Sequence, residues 1–147
     1  MIRRAVARDA LRVAELEERN LGDDAWSFGL VSQGVAGEVP TTHWWVAEHE
    51  GRLIGHAVVS AVEDVAELQR ISVDVDQRRS GVASDLLASV EAFALAKGVE
   101  RMLLEVREDN LAARAFYAAC GYTTLHRRPR YYADGAAAEV MEKLLST

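Results

Sequence analysis

The sequence predicts an α/β (α+β) fold, a mixed sheet flanked by helices. Three observations carry that prediction. Between residues 43 and 73 hydrophobicity alternates with period two, in runs separated by a Glu50-Gly51 turn, which is the patterning of strands and a hairpin. Residues 80–97 place Val82, Leu86, Val90, Phe93 and Ala94 along a single helical face. Strand-like and helix-like runs then alternate to the end of a chain of 147 residues, 50% of them hydrophobic, enough to bury one sizeable core.

Each element follows in order. Residues 2–5 are β-compatible and lead into a helix, with Asp9 as candidate N-cap and Ala10, Val13, Ala14 and Glu17 at helical spacing. Residues 21–40 hold no clean period and include Gly22, Gly29, Gly34 and Gly37, so they read as a loop with a short helix at 26–31. HWWVAEH and RLIGHAVVSAV form the hairpin, and AELQRISVDV supplies a third strand. The helix of residues 80–97 stops at Gly98, where a left-handed residue belongs. RMLLEVR is a strand. Asn110 then caps a helix on which Ala113, Phe116, Tyr117 and Cys120 align before Gly121 ends it. TTLHRR and EVMEKLL close the chain as two strands around a YYADG turn. With no repeat and no linker, one domain over residues 1–147 is expected.

Charge and composition exclude several functions. Lys and Arg total 17 against 23 Asp and Glu, a net charge of -6, which disfavours nucleic acid and anionic membranes as partners. The N-terminus is charged from its third residue without an apolar stretch, and the longest uncharged run, residues 25–37, is too short to span a bilayer. A soluble cytoplasmic protein is the expectation. Cys120 is the only cysteine, so it forms no intramolecular disulfide and reads as a small buried apolar residue. His43, His49, His56 and His126 show no ligand spacing with one another or with Cys120, and no metal is expected. Trp44 and Trp45 point to opposite faces of one strand, one into the core and the other toward a pocket rim.

The strongest local signal is VDVDQRRSGVASDLL, where a strand ends, a short polar stretch with Gly81 follows, and a helix starts at once. Such a junction aims unpaired backbone N–H groups at an anion, and Arg78 and Arg79 add charge-assisted donors. Neither G-x-x-x-x-G-K-[ST] nor G-x-G-x-x-G is present. On these residues alone, a phosphate cradle and a plain turn with two solvated arginines both stand.

Arg78-Arg79-Ser80-Gly81-Val82-Ala83 resembles the acyl-CoA loop, Q/R-x-x-G-x-G/A, of the GNAT acetyltransferase superfamily. Ile71-Ser72-Val73 before it and VREDNLAARAFYAACGY after it resemble that superfamily in the same order, so the likeness covers nearly the whole chain. Trp26-Ser27, LLEVR, the asparagine and tyrosine that follow and the terminal RYYADG are most similar to its ribosomal-protein alanine N-acetyltransferases. Ala25 stands where a proline is common in that subfamily.

The resemblance implies a mixed sheet of six to seven strands with about four helices, acetyl-CoA as donor, coenzyme A as product, and direct transfer of acetyl to an amine. It implies pyrophosphate binding by Arg79, Ser80, Gly81, Val82, Ala83 and Ser84, with Arg78 beside them. The strand of Ile71, Ser72 and Val73 would splay from its neighbour and pair with the pantetheine arm, and the Val73 N–H would hold the oxyanion. Asn110 would contact coenzyme A, a role beside its reading as a cap.

Period two puts Glu105 with Leu103 and Arg107, and a carboxylate among apolar neighbours suits a general base. The resemblance gives it that role; a solvated glutamate or a structural pair with an arginine is the bland alternative. Tyr117 falls on the family's proton-donor tyrosine, although an aromatic at helical spacing equally suits a core. The segments implied to line the acceptor groove are residues 21–43, with Trp26, Asp23 and Asp24, and the turn of Tyr131, Tyr132, Ala133 and Asp134. The expected acceptor is a protein N-terminus, the alanine of a small-subunit ribosomal protein. Acetylation of a lysine or small amine, or coenzyme A binding without turnover, are the competing readings.

Overall fold

A computed structural model describes residues 1–78 and 80–145. Along the chain run β1 (Ile2–Arg4), α1 (Ala10–Leu21), α2 (Phe28–Val35), β2 (Thr42–His49), β3 (Arg52–Val62), β4 (Val65–Val73), α3 (Val82–Ala96), β5 (Arg101–Arg107), α4 (Leu111–Ala119), β6 (Thr123–Arg128) and β7 (Ala138–Leu144). The strands make one seven-stranded sheet in the order β1-β2-β3-β4-β5-β7-β6. Its pairings are antiparallel except β4 with β5, which is parallel and joined through α3. The predicted mixed sheet with about four helices is what the chain forms.

Both faces of the sheet are covered, because its central strands are apolar on alternate residues of both parities. On one face α3 and α4 supply Leu86, Leu87, Val90, Ala94 and Tyr117 against Trp45, Ala57, Val59, Leu104 and Val106. On the other, α1 and α2 bring Val13, Leu16 and Val31 against Trp44, Val46 and Val58. Trp44 and Trp45 thus take opposite faces as expected, but both are buried in the core, one in each of its two halves. No helix among the described residues is long and apolar enough to cross a membrane.

Two helix starts differ in detail from expectation. Asp9 is the N-cap residue of α1, as expected, but its side chain makes no cap bond to the helix. Its carboxylate instead accepts from the Val6 N–H at 2.8 Å and from Arg3 at 2.8 and 3.0 Å, which fixes the turn before the helix. The short helix expected at 26–31 begins two residues later, because Ser27 is its N-cap, its Oγ accepting from the Leu30 N–H at 3.2 Å.

One irregularity shapes the centre of the sheet. Along β3 the partners step from Val58↔Arg70 to Val59↔Leu68, so Gln69 is an extra, bulged residue of β4. The pairing of β4 with β5 ends at this point, its last pair being Leu68↔Leu104. Beyond it β5 continues against β7 as far as Arg107↔Ala138, while β4 continues against β3. The two central strands therefore part, and a cleft opens between residues 70–73 and 105–107.

Candidate active site

Backbone groups line the cleft on the β4 side. The Asp74 N–H donates to the Ile54 carbonyl at 2.7 Å, toward β3. Successive residues of a strand direct their amides to alternate edges, so the N–H of Val73 points away from β3 and into the gap. Ile71 shares that edge and Ser72 faces β3, opposite His56. An extended ligand laid in the gap meets the edge of a sheet, the arrangement that β-augmentation requires.

The helix that follows starts beside the same cleft. Gly81 is the N-cap of α3 at φ 87°, a left-handed conformation that a side chain would strain. The amides of Gly81, Val82, Ala83 and Ser84 have no partner inside the helix, and the dipole adds to their attraction for an anion. Ser80 Oγ donates to the Gln77 carbonyl. Arg78 reaches back so that its Nε donates to the Val73 carbonyl at 3.2 Å, bracing the end of β4. Arg79, also expected here, lies outside the described residues. Residues 71–73 and 80–84 are thus brought together as an unpaired strand edge leading to a helix N-terminus, which fits an extended ligand ending in phosphate.

Glu105 stands on β5 just past the point where the strands part. Met102, Leu104 and Val106 are buried among the residues under α3, so Leu103, Glu105 and Arg107 share the opposite face, as period two requires. Its surroundings differ from the apolar ones expected, because other elements contribute polar groups. The phenol of Tyr131 is held above its usual range by hydrogen bonding toward Glu105 and then by that charge. Tyr132 is raised by burial first and by Glu105 second. Glu67, on β4 opposite Leu103, is likewise raised by desolvation and then by Glu105. Among the described residues Glu105 Oε2 has no hydrogen-bond partner although the atom is buried. A carboxylate oxygen left open at the mouth of a cleft is placed to accept a proton.

The other expected residues sort differently. Tyr117 is 8% exposed and packs edge-on against Phe116 and Tyr122, and burial pushes its phenol up to about 12. Asn110 caps α4, its Oδ1 accepting from the Ala113 N–H at 3.1 Å, which leaves the Nδ2 side of the amide for another partner. Tyr131 and Tyr132 flank Glu105 from the β6–β7 connection. Arg107 holds that connection, its Nη2 donating to Asp134 at 2.6 Å and its guanidinium lying 4.8 Å from the Tyr132 ring centre.

Trp26 is tied to residues that sequence reasoning passed over. Glu17 and His56 are both fully buried. Glu17 Oε1 accepts from the Trp26 N–H at 2.8 Å and from Arg70 Nη2 at 3.0 Å. Its Oε2 accepts from Arg70 Nε at 3.0 Å and lies 2.8 Å from His56 Nε2, which must be the donor. Burial alone would raise this carboxyl, but the bonds from His56, Trp26 and Arg70 outweigh it and hold it below the usual glutamate range. The signal was present: Glu17 occupies the apolar stripe of its helix and His56 sits inside the apolar run of β3. Glu67 gave no such signal, because its link to Glu105 depends on the register of two distant strands.

A cavity of about 480 Å³ lined by Ile2, Ala47, Ile54, Val82, Asp85 and Ser89 lies under α3 near β1, apart from Glu105. Among the described residues, no group of three or more His, Cys, Asp or Glu could hold a metal ion.

A strand edge that opens onto a helix N-terminus, with a carboxylate across the gap, suits an extended ligand ending in phosphate with a proton acceptor beside it. The chain belongs to the acetyltransferase (GNAT) family, whose profile matches residues 8–122, and it is an acetyltransferase. Acetyl-CoA is the acyl donor of this fold. The chain is similar to the N-alpha-acetyltransferase RimI of Mycobacterium tuberculosis, 36% identical over 141 residues, covering 92% of this chain and 86% of the relative. It is 35% identical over 82 residues to the [ribosomal protein bS18]-alanine N-acetyltransferase of Escherichia coli, covering 56% of this chain and 55% of the relative. The solved ribosomal-protein-S18-alanine N-acetyltransferase from Escherichia coli superposes with a TM-score of 0.89 at 27% identity, covering 100% and 94% of the two chains. The Thermoplasma acidophilum PaiA N-acetyltransferase, solved in complex with coenzyme A, shares the fold at a TM-score of 0.80 and 17% identity, covering 98% of each.

Proposed function

We propose that the chain transfers acetyl from acetyl-CoA to the N-terminal α-amine of a protein, with the alanine of a small-subunit ribosomal protein as acceptor. The observation that carries this reading is the buried, unpartnered Oε2 of Glu105 at the mouth of the cleft. The relatives' activities support the choice of amine. Acetyl-CoA supplies an activated acyl thioester. The amides of Gly81, Val82, Ala83 and Ser84 bind its pyrophosphate, and Asn110 Nδ2 gives a further contact. The edge of Ile71, Ser72 and Val73 aligns the pantetheine arm, with the Val73 N–H fixed where negative charge develops on the carbonyl oxygen.

Glu105 accepts the proton that the amine loses, directly or through one water. Tyr117 donates to the departing sulfur. Trp26, Tyr131 and Tyr132 border the acceptor. A single carboxylate serves an α-amine better than a lysine: with an α-amino pKa of about 7.8, roughly one amine in seven is neutral at pH 7, against well under one in a thousand for lysine. One N-acetyltransferase domain over residues 1–147, acting in the cytoplasm where ribosomal proteins are made, belongs to the same reading.

The test is an incubation with acetyl-CoA and a peptide mixture, following free thiol and peptide mass together. The mixture holds α-amines with varied first residues and α-blocked peptides carrying lysine. Acetylation of the α-amines, strongest on alanine and reduced about a hundredfold or more in Glu105→Gln, is the expected result. Labelling of lysine, or thiol release with small amines alone, would keep the donor and remove the acceptor assignment.

A further inference from the structure

We infer that Glu17 and Arg70 are positioning residues for the amine acceptor, locking residues 22–27 over the β4 wall of the cleft. The inference rests on the acceptor segment named above and adds what holds it in place. Four parts of the chain meet at one carboxylate. Glu17 comes from α1, His56 from β3, Arg70 from β4, and the Trp26 N–H from the connection between α1 and α2. Arg70 and Glu17 form a two-point fork at 3.0 Å on each limb, a geometry that fixes orientation as well as distance.

The same guanidinium also holds the connection directly. Its Nη2 donates to the Asp24 carbonyl at 2.8 Å, and its carbon lies 4.2 Å from the centre of the Trp26 ring. Trp26 leans on Trp44 at 5.5 Å, and Trp44 stacks on His56 at 6.4 Å, so the ring is clamped between Arg70 and the core. One turn earlier, Asn20 Nδ2 donates to Ser72 Oγ at 2.7 Å.

Place decides the consequence. Arg70 and Ser72 belong to the stretch of β4 that has left β5 and borders the cleft. Arg70 follows the Gln69 bulge and Glu67 precedes it, which returns both to the face on which Glu105 stands. The 22–27 connection therefore crosses the wall of the gap on the acceptor side, while the helix N-terminus at Gly81 lies beyond the end of β4. Loosening the lock should misplace the acceptor and leave the donor alone. Arg70→Lys tests this by keeping the charge and losing the fork.

Steady-state kinetics of Arg70→Lys and Glu17→Gln would be read with whichever amine the wild-type protein acetylates best, so a wrong acceptor class does not blur the result. Expected are a KM for the amine raised about tenfold or more, a KM for acetyl-CoA unchanged within about twofold, and kcat changed by less than about threefold. Hydrogen exchange at the Trp26 amide should quicken in both variants, because among the described residues its acceptor is Glu17 Oε1. Faster exchange with an unchanged amine KM would overturn the inference and leave a purely structural lock. Equal losses for amine and acetyl-CoA, or a loss confined to kcat, would overturn it as well. Should Glu17→Gln fail to fold, Arg70→Lys decides alone.

Discussion

Tyr117 and Glu105 show how environment assigns roles to side chains. Burial keeps the Tyr117 phenol protonated, pushed up to about 12, while a free thiol titrates near 8.5. Complete proton transfer from this phenol to an ordinary thiolate would run uphill by about 3.5 units, about 5 kcal/mol. In the proposed reaction the tyrosine would then act as a hydrogen-bond donor to the developing thiolate, with the proton taken up from solvent afterwards. A hydrogen bond to a charged group is worth about 1.5–3 kcal/mol, so Tyr117→Phe should lower kcat by about ten- to a hundredfold. It should leave acetyl-CoA binding intact, as measured by equilibrium titration beside thiol release. A loss as deep as that of Glu105→Gln would instead assign Tyr117 a full proton transfer. Glu105 carries the opposite property, an oxygen with no partner among the described residues, and that could not be read from LEVR, since its neighbours Glu67 and Tyr131 come from other elements.

At the scale of elements, α2 shows what a short helix needs in order to pack. Gly34 faces Trp44 so closely that a Cβ would lie 2.3 Å from the indole, so Gly34→Ala should cost about 2 kcal/mol by overpacking. Gly29 lies on the same helix with only Ser27 Oγ at 3.9 Å, and Gly29→Ala should stabilise by up to about 1 kcal/mol through helix propensity. Urea unfolding of the two variants should give opposite signs; two losses of equal size would mean that α2 is limited by something other than contact with Trp44. The strands and long helices were legible in the sequence because burial on one side imprints period two or 3.6. The start of α2 was not, since Trp26 continues the apolar run while Ser27 sets the boundary by a single hydrogen bond. The parting of β4 from β5 was implied by the resemblance at Ile71-Ser72-Val73, but the point where it begins was not legible, because Gln69 is an ordinary polar residue whose extra place appears only in the register with β3. The loop at Gly81 was legible because its chemistry is local: glycine, a strand before it and a helix after it.

Across the whole molecule, a few buried charges fasten α1 and the segments beside it to the sheet, and these tie stability to pH. Glu17 is desolvated, which alone would raise its carboxyl, yet bonds from His56, Trp26 and Arg70 hold it lowered in the folded chain. Asp9 is lowered chiefly by its bond with Arg3, against desolvation, and further by the Val6 N–H. A carboxyl lowered on folding binds its proton more readily when unfolded. Each therefore stabilises the protein above its unfolded value, about 4, and that contribution is lost as the pH falls through the folded value. Glu67 has the reverse sign, being raised by desolvation and Glu105, but it is exposed and screened, so its effect is small. Stability should consequently be level near neutrality and fall below about pH 4. Glu17→Gln isolates the largest part of this, because glutamine has nearly the shape of protonated glutamate and lacks the charge. Removing one partner of a buried pair costs about 3–5 kcal/mol, and that difference should be full at pH 7. It should shrink as the wild-type carboxyl takes up its proton. Urea unfolding of both proteins from pH 7 to about pH 2.5 reads the two curves together. Convergence on acidification places the cost in the charge of Glu17; a constant gap would place it in the packing of the side chain and remove the link between the buried cluster and pH.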